Sequence, residues 1–176
     1  DHQFSHLWDM QHHKHNGVAP SHGFKVGIGT LSSLALHERL LETGIPESYA
    51  AWPALEQIEA RIKNRLEGEL AGTALKETRA KYAALCDHYA QLSAAWPELA
   101  PRLRAHLFNF AEARDMLKAA GAPFEPEQIG ISRERLRASY ELAWFIRRRF
   151  TVLDVAARAG LMDAALDHIF SPAGHW

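Results

Sequence analysis

Apolar residues recur along this chain every three or four positions, the spacing of a helix with one face in a core. Leu55, Ile58, Ile62, Leu66 and Leu70 are the clearest series. Clean two-residue alternation with β-branched enrichment, the mark of a strand, is nearly absent. The pattern predicts a helix over residues 1 to about 14, then turns at Asn16-Gly17 and Pro20-Ser21. A second helix is expected over 23–42, rich in small residues early and in leucine later, closed by Gly44 with Pro46 beyond. Trp52-Pro53 opens a third helix to about Leu70, Gly72-Thr73 breaks it, and a fourth runs to about Ala94. Pro97 or Pro101 starts a fifth, to about Ala120, and residues 121–130 form a loop. Ser132 starts a sixth, to about Arg149. Thr151-Val-Leu-Asp154 has capping-box-like spacing and begins a short helix, with a last one near 162–170. The expected fold is all-α, a bundle of seven or eight helices in a single domain spanning residues 1–176.

Composition narrows the function classes. With 176 residues, 47% of them hydrophobic and 23% charged, the chain has the balance of a globular domain able to bury a core. A net charge of −1 gives no basic field, so neither nucleic acid nor an anionic membrane is an expected partner. No apolar run approaches the roughly 18 residues of a membrane span. Cys86 is the single cysteine, which excludes an internal disulfide, points to a reducing, cytoplasmic setting and reads best as a buried small hydrophobe. The aromatics Trp52, Trp96, Tyr140, Trp144 and Phe145 read as core or interface anchors.

Histidines carry the unusual signal: 11 in all, seven of them within the first 22 residues. His2 and His6 are four apart, which puts both imidazoles on one helical face. The zinc-protease motif shares that spacing, but Gln3 stands where its general-base Glu belongs, so a metalloprotease is excluded. His22 opens the next helix, and a helix, a turn and a return bring it back toward His2. Neutral imidazoles suit zinc, nickel or iron, and a carboxylate is the usual further ligand. On spacing alone the set reads either as metal ligands or as ordinary surface and core histidines. His12, His13 and His15 cluster before the turn and read as a solvated helix end rather than as a second metal site.

The run His2-Gln-Phe-Ser-His6-Leu-Trp-Asp-Met followed by Ser21-His22-Gly23-Phe-Lys25-Val-Gly27-Ile-Gly29-Thr30 resembles the metal-binding helices of the dehydroquinate synthase-like and iron-containing alcohol dehydrogenase superfamily. The motifs Gly121-Ala-Pro123, Pro126-Glu-Gln-Ile-Gly130-Ile-Ser132 and Ile146-Arg-Arg-Arg-Phe-Thr-Val-Leu-Asp154 narrow the resemblance to the sn-glycerol-1-phosphate dehydrogenase family. It covers nearly the whole chain, with residues 45–95 matching in helical character alone. Two differences from the family stand out: Phe24 where Glu often follows His-Gly, and the His12–His15 stretch, which lengthens the connection.

The resemblance implies a C-terminal helical domain that follows a Rossmann-like domain binding NAD(H) or NADP(H), with the active site between them. It implies a divalent metal (zinc, nickel or iron) held by an Asp and two histidines, here His2 and His22. His6 is implied as the catalytic neighbour of substrate and nicotinamide, and Lys25 or an arginine of the basic cluster around Arg147-Arg148-Arg149 as a contact of the substrate phosphate. The implied substrate is a small phosphorylated polyol or ketone, and the metal would act as a Lewis acid during hydride transfer. The chain opens at Asp1, without methionine, directly on this segment, so it is expected to be a piece of a longer protein. The nucleotide-binding domain and the ligand Asp then lie upstream, the isolated chain is expected to be inactive, and the uncovered cleft face is expected to favour homo-oligomers.

Two other motifs compete. Gly27-x-Gly29 follows no strand and lacks the third glycine of a dinucleotide loop, so close helix packing is the better reading. Residues 151–170 have the glycine and apolar spacing of a helix-turn-helix, which makes a DNA-binding or partner-binding module the rival function. Asp163 and Asp167 on the would-be recognition helix argue against bases and phosphates as its targets.

Overall fold

The computed structural model describes residues 1–47, 53–82 and 84–176; the side chains of residues 85–87 also lie outside the description. Trp52 and the Cys86 thiol therefore fall outside the described residues. The all-helical bundle expected from the sequence is what forms: α1 (His2–Met10), α2 (His22–Thr43), α3 (Leu55–Arg65), α4 (Gly68–Tyr82), α5 (Ala84–His106), α6 (Phe110–Ala119), α7 (Arg133–Phe145), α8 (Val152–Arg158) and α9 (Met162–Ile169), with a 3-10 turn at Pro126–Ile129. Among the described residues no strand is present, and no helix is long and apolar enough to cross a membrane.

The long helix α2 is the spine. It packs against α1, α6, α8 and α9, and buries Ile28, Leu31, Leu34, Ala35, Leu36 and Leu40. On α1, Phe4, Leu7 and Trp8 turn inward and are essentially inaccessible. The Phe4 ring meets Tyr140 edge-on at 4.9 Å. The indole N–H of Trp8 donates to Ser139 Oγ on α7 at 3.0 Å, and the Tyr140 hydroxyl donates to the Ser32 carbonyl of α2 at 2.9 Å. These bonds satisfy the polar ends of large buried aromatics, so each anchor joins two helices without leaving an unpaired donor. Burial also raises the pKa of the Tyr140 hydroxyl.

The glycines of α2 are not equivalent. A methyl group on Gly29 would lie 2.6 Å from the Asp1 carbonyl oxygen and 3.2 Å from Phe4 Cβ, so the first turn of α1 rests directly on the α2 backbone there. Gly27 faces the Leu117 side chain of α6, and Gly23 faces open space. The close-packing reading of Gly27 and Gly29 thus holds at both.

Several boundaries differ from the pattern-based expectation. The first helix stops at Met10, four residues early, because the chain turns back: His12 has φ 51°. Gly72-Thr73 lies inside α4; the break comes earlier, where Leu66 is extended and Gly68 takes φ 57°. Pro97 and Pro101 sit within α5, although each lacks the donor for an intrahelical bond. The next helix begins instead at Asn109, whose side chain accepts from Glu112 N at 2.8 Å while Glu112 accepts from Asn109 N at 3.0 Å. The Thr151 expectation holds, since Asp154 Oδ2 accepts from Thr151 N at 2.8 Å.

The helix expected to reach Arg149 ends at Phe145 because its last carbonyls are captured. Lys81 Nζ donates to the Trp144 carbonyl at 2.5 Å and to Asp154 Oδ1 at 2.9 Å, and Thr78 Oγ1 donates to the Phe145 carbonyl at 3.4 Å. Trp144 Nε1 donates to the same Asp154 oxygen at 2.6 Å. Lys81 is 3% exposed and Asp154 fully buried, so this is an interior ion pair with its remaining lone pairs occupied. Burial pulls the Lys81 pKa down, opposed by Asp154.

Gly29→Ala tests the contact between α1 and α2. Alanine at an exposed helical glycine stabilises by about 1 kcal/mol. Here the Asp1 carbonyl must move, and the substitution is expected to destabilise by about 1–3 kcal/mol in urea unfolding. A gain in stability would show that the two helices do not approach as described.

Candidate functional site

The two faces of α1 divide its labour. With Phe4, Leu7 and Trp8 inward, His2, His6 and Asp9 fall on the opposite side. Ser21 caps α2, its side chain accepting from Phe24 N at 3.2 Å, and so fixes His22 at the first position of that helix. The three imidazoles expected from the sequence are thereby brought together. Ring centroids are 5.6 Å apart for His2 and His22, 6.2 Å for His2 and His6, and 6.3 Å for His6 and His22.

Two imidazoles bound tetrahedrally to one ion at roughly 2.1 Å stand about 5 Å apart, centroid to centroid. The pair His2 and His22 is nearest that spacing, and His6 stands further off. Among the described residues, no group of three or more His, Cys, Asp and Glu side chains is arranged to hold a metal ion. The donor set thus fits a partial shell of two imidazoles, not a closed site.

Asp1 is the feature that spacing arguments overlooked. Its carboxylate accepts from His2 N at 2.6 Å as the cap of α1, and from His2 Nδ1 at 2.9 Å. The carboxylate fixes the Nδ1–H tautomer and leaves the Nε2 lone pair facing outward, as in many metal-binding histidines. An acidic residue immediately before the first helical histidine was the signal available in the sequence.

His6 is half-buried, and its pKa is lowered, first by burial and then by the charge of Arg147, with His2 and His22 acting in the same direction and Asp9 against it. It is held neutral, with a lone pair available to a proton or an ion.

Lys25 is 5% exposed, and its ammonium is ion-paired with Asp9 across the α1–α2 contact. Any contact with a substrate phosphate would compete with that pairing. Arg147, Arg148 and Arg149 lie in the connection between α7 and α8 and line one cleft, of about 610 Å³, together with Asp1, His2 and His6. Arg133, Arg135 and Arg137 lie elsewhere, engaged with Glu125 and Glu127, with His13 and Gln11, and with Asp167 respectively.

Of the middle histidines, His13 and His15 depart from the solvated helix end expected of them. His13 is 8% exposed, and its Nε2–H donates to the Ile129 carbonyl at 2.7 Å. Arg135 Nη1 donates to His13 Nδ1 at 2.7 Å and Nη2 to Gln11 Oε1 at 2.9 Å. A carbonyl only accepts and a guanidinium only donates, so His13 is the neutral Nε2–H tautomer. His15 pairs with Val18 across the turn at Asn16 (φ 51°) and Gly17 (φ 81°), and its ring lies against Gly130, where a Cβ would be 2.4 Å from Nδ1. This stretch is a clamp that ties the α1–α2 connection to the 3-10 turn. His12 is exposed. The segment 151–170 folds as two helices around Gly160, with Asp163, Ala164 and Asp167 on the outward face of α9.

Among curated proteins, glycerol-1-phosphate dehydrogenase (NAD(P)+) from Geobacillus stearothermophilus is 27% identical over 154 residues, which cover 87% of this chain and 31% of that protein. The chain is distantly related to that enzyme and spans under a third of its length. No protein-family profile matches, and no solved structure matches.

The His13 clamp makes stability pH-dependent. Its pKa is lowered from the ordinary 6.5, mainly by burial, with Arg135, His15 and Lys25 adding to the effect and the Ile129 carbonyl opposing it. The unfolded chain therefore takes up the proton first. The contribution is intact above about pH 6.5 and is lost as the pH falls below it. Urea unfolding at pH 7.5 and 5.5 should show a steeper loss for the wild type than for His13→Asn. Equal losses would remove the clamp's pH sensitivity.

Proposed function

We propose that this chain is the metal-holding helical domain of an NAD(P)-dependent, glycerol-1-phosphate dehydrogenase-like oxidoreductase. The observation that carries the reading is the convergence of His2 and His6 with His22, which lies 20 residues after His2, beside a cleft in a chain distantly related to such an enzyme.

Within this reading His2, oriented by Asp1, and His22 each present an imidazole nitrogen to a divalent ion: zinc, nickel or iron. A further ligand, an aspartate, comes from a nucleotide-binding domain that precedes this one. A bound ion supplies Lewis acidity at the alcohol or carbonyl oxygen, and the nicotinamide supplies or accepts the hydride. His6, set back from the pair, faces the substrate hydroxyl and handles its proton. Lys25 holds α1 to α2 through Asp9 and so keeps His6 in register with His22. The helices α8 and α9 serve packing, since an outward face bearing Asp163 and Asp167 repels nucleic-acid phosphates. The substrate is a small phosphorylated polyol or ketone, and the chain by itself, lacking part of the shell, turns nothing over.

Metal binding separates these assignments. In titrations of zinc or nickel against a chromophoric chelator, the chain should bind one ion weakly, at micromolar levels or above. His2→Ala or His22→Ala should abolish that binding, and Asp1→Ala should weaken it about tenfold or more. His6→Ala should leave most of it in place. Equal binding by the wild type and both ligand variants would refute the assignment.

A further inference from the structure

The connection between α1 and α2 carries a chemistry that the proposed function does not use. Its tip is a two-residue turn. His15 N donates to the Val18 carbonyl at 2.8 Å, and Val18 N donates to the His15 carbonyl at 3.1 Å. Between them Asn16 has φ 51° and Gly17 φ 81°. Positive φ at both central residues marks a type I′ turn, and Asn-Gly is its favoured pair. Both residues are exposed. The pairing of His15 with Val18 is an isolated bridge. A turn closed by two bonds alone opens locally at little cost.

The chain has three asparagines, and their surroundings differ at the atom that decides their lifetime. An asparagine loses its amide when the backbone nitrogen of the next residue attacks its Cγ. At Asn109 that nitrogen belongs to Phe110 and donates to Glu38, while Asn109 Oδ1 accepts from Glu112 N at 2.8 Å. At Asn64 it belongs to Arg65, within α3, where helical bonding holds the backbone. At Asn16 it belongs to Gly17. Among the described residues the Gly17 N–H has no acceptor. Glycine adds no side chain to block the approach, and a Cβ built there would meet nothing within 4 Å. The leaving atom, Asn16 Nδ2, is exposed and lies 3.3 Å from His15 Nε2.

We propose that Asn16 is a site of spontaneous deamidation, and that its isoaspartyl product loosens the clamp between α1 and α2. The Gly17 nitrogen bonds to Asn16 Cγ and gives its proton to water. The Cγ–Nδ2 bond breaks, and the amide nitrogen leaves as ammonia with a proton from water. Water then opens the cyclic imide at either carbonyl, and no electrons are exchanged at any step. Attack at Cγ leaves an ordinary aspartate. Attack at the backbone carbonyl carbon leaves an isoaspartate, whose chain runs through the side-chain methylene.

The two products differ in what they do to the turn. Aspartate before glycine also suits a type I′ turn, so the first product keeps it. The second adds a backbone carbon between His15 and Val18, and the two closing bonds lose their register. His15 lies against Gly130, and His13 holds the Ile129 carbonyl, so the grip of the connection on the 3-10 turn loosens with it. None of this chemistry requires a metal, a cofactor or the dehydrogenase reading.

The test ages the chain at mildly alkaline pH, beside an unstructured peptide of residues 11–20, and follows both by mass spectrometry after digestion. The segment holding Asn16 should show the mass change of amide to acid, and part of the product should be a substrate for an isoaspartyl methyltransferase. Asn16 should react in the chain within about tenfold of its rate in the peptide, as a locally opening turn allows. Asn64 and Asn109 should stay intact. A rate in the chain more than about tenfold below that of the peptide would show that the turn protects Asn16, and would overturn the site. Loss of the amide at Asn64 or Asn109 as fast as at Asn16 would overturn its selectivity.

The effect on the clamp is read by limited trypsin cleavage after Lys14, which is exposed within the connection. The isoaspartyl form, separated by ion exchange, should be cut there at least about tenfold faster than the aspartyl form, because cleavage tracks the open population. Asn16→Asp should be cut like the unaged chain, which separates the added charge from the altered backbone. Equal cleavage of the two aged forms would overturn the loosening.

Discussion

The structure depends on one close approach. The first turn of α1 lies against α2 at Gly29, where the Asp1 carbonyl leaves no room for a Cβ. A residue with a side chain there would push α1 outward, and with it Asp1, His2 and His6. Around this contact Phe4, Trp8 and Tyr140 fill the interior, and the Lys25–Asp9 pair closes the opposite edge. Relative placement of the imidazoles is thus a consequence of backbone packing, since two of them ride on α1 and the third on α2.

A second constraint acts at the far side of the cleft. The buried Lys81–Asp154 pair draws the end of α7 and the start of α8 together. A buried ion pair is a poor source of net stability, yet removing either partner strands the other charge in the interior. Here it fixes a short connection whose arginines would otherwise be set by solvent. The cleft is bounded by these two devices, one built from a missing side chain and one from a satisfied interior charge.

Much of this was legible in the sequence, and the limits are physical. Helical periodicity gave the all-α bundle, because burying one face is a local property of spacing. The His2, His6 and His22 grouping was legible too, since i, i+4 geometry and a short return leave little freedom. The ends of helices were harder. The α7 terminus is decided by Lys81, more than 60 residues away in the chain, and no local pattern reports that. The Asn109–Glu112 capping box set the start of α6 where prolines suggested otherwise. His13 looked like a solvated residue because its partners, Ile129 and Arg135, are distant in sequence and only the fold brings them to it. Asp1 was overlooked, although its adjacency to His2 was visible.

The central claim is that His2 and His22 act as one pair with His6 set back. The most direct measurement is a histidine side-chain nitrogen NMR titration with zinc. The account predicts that the His2 Nε2 signal and one His22 nitrogen shift together at a single stoichiometry, while His2 Nδ1 keeps its proton toward Asp1. Zinc shifting His12 or His15 instead, or moving His2 and His22 at different stoichiometries, would contradict it.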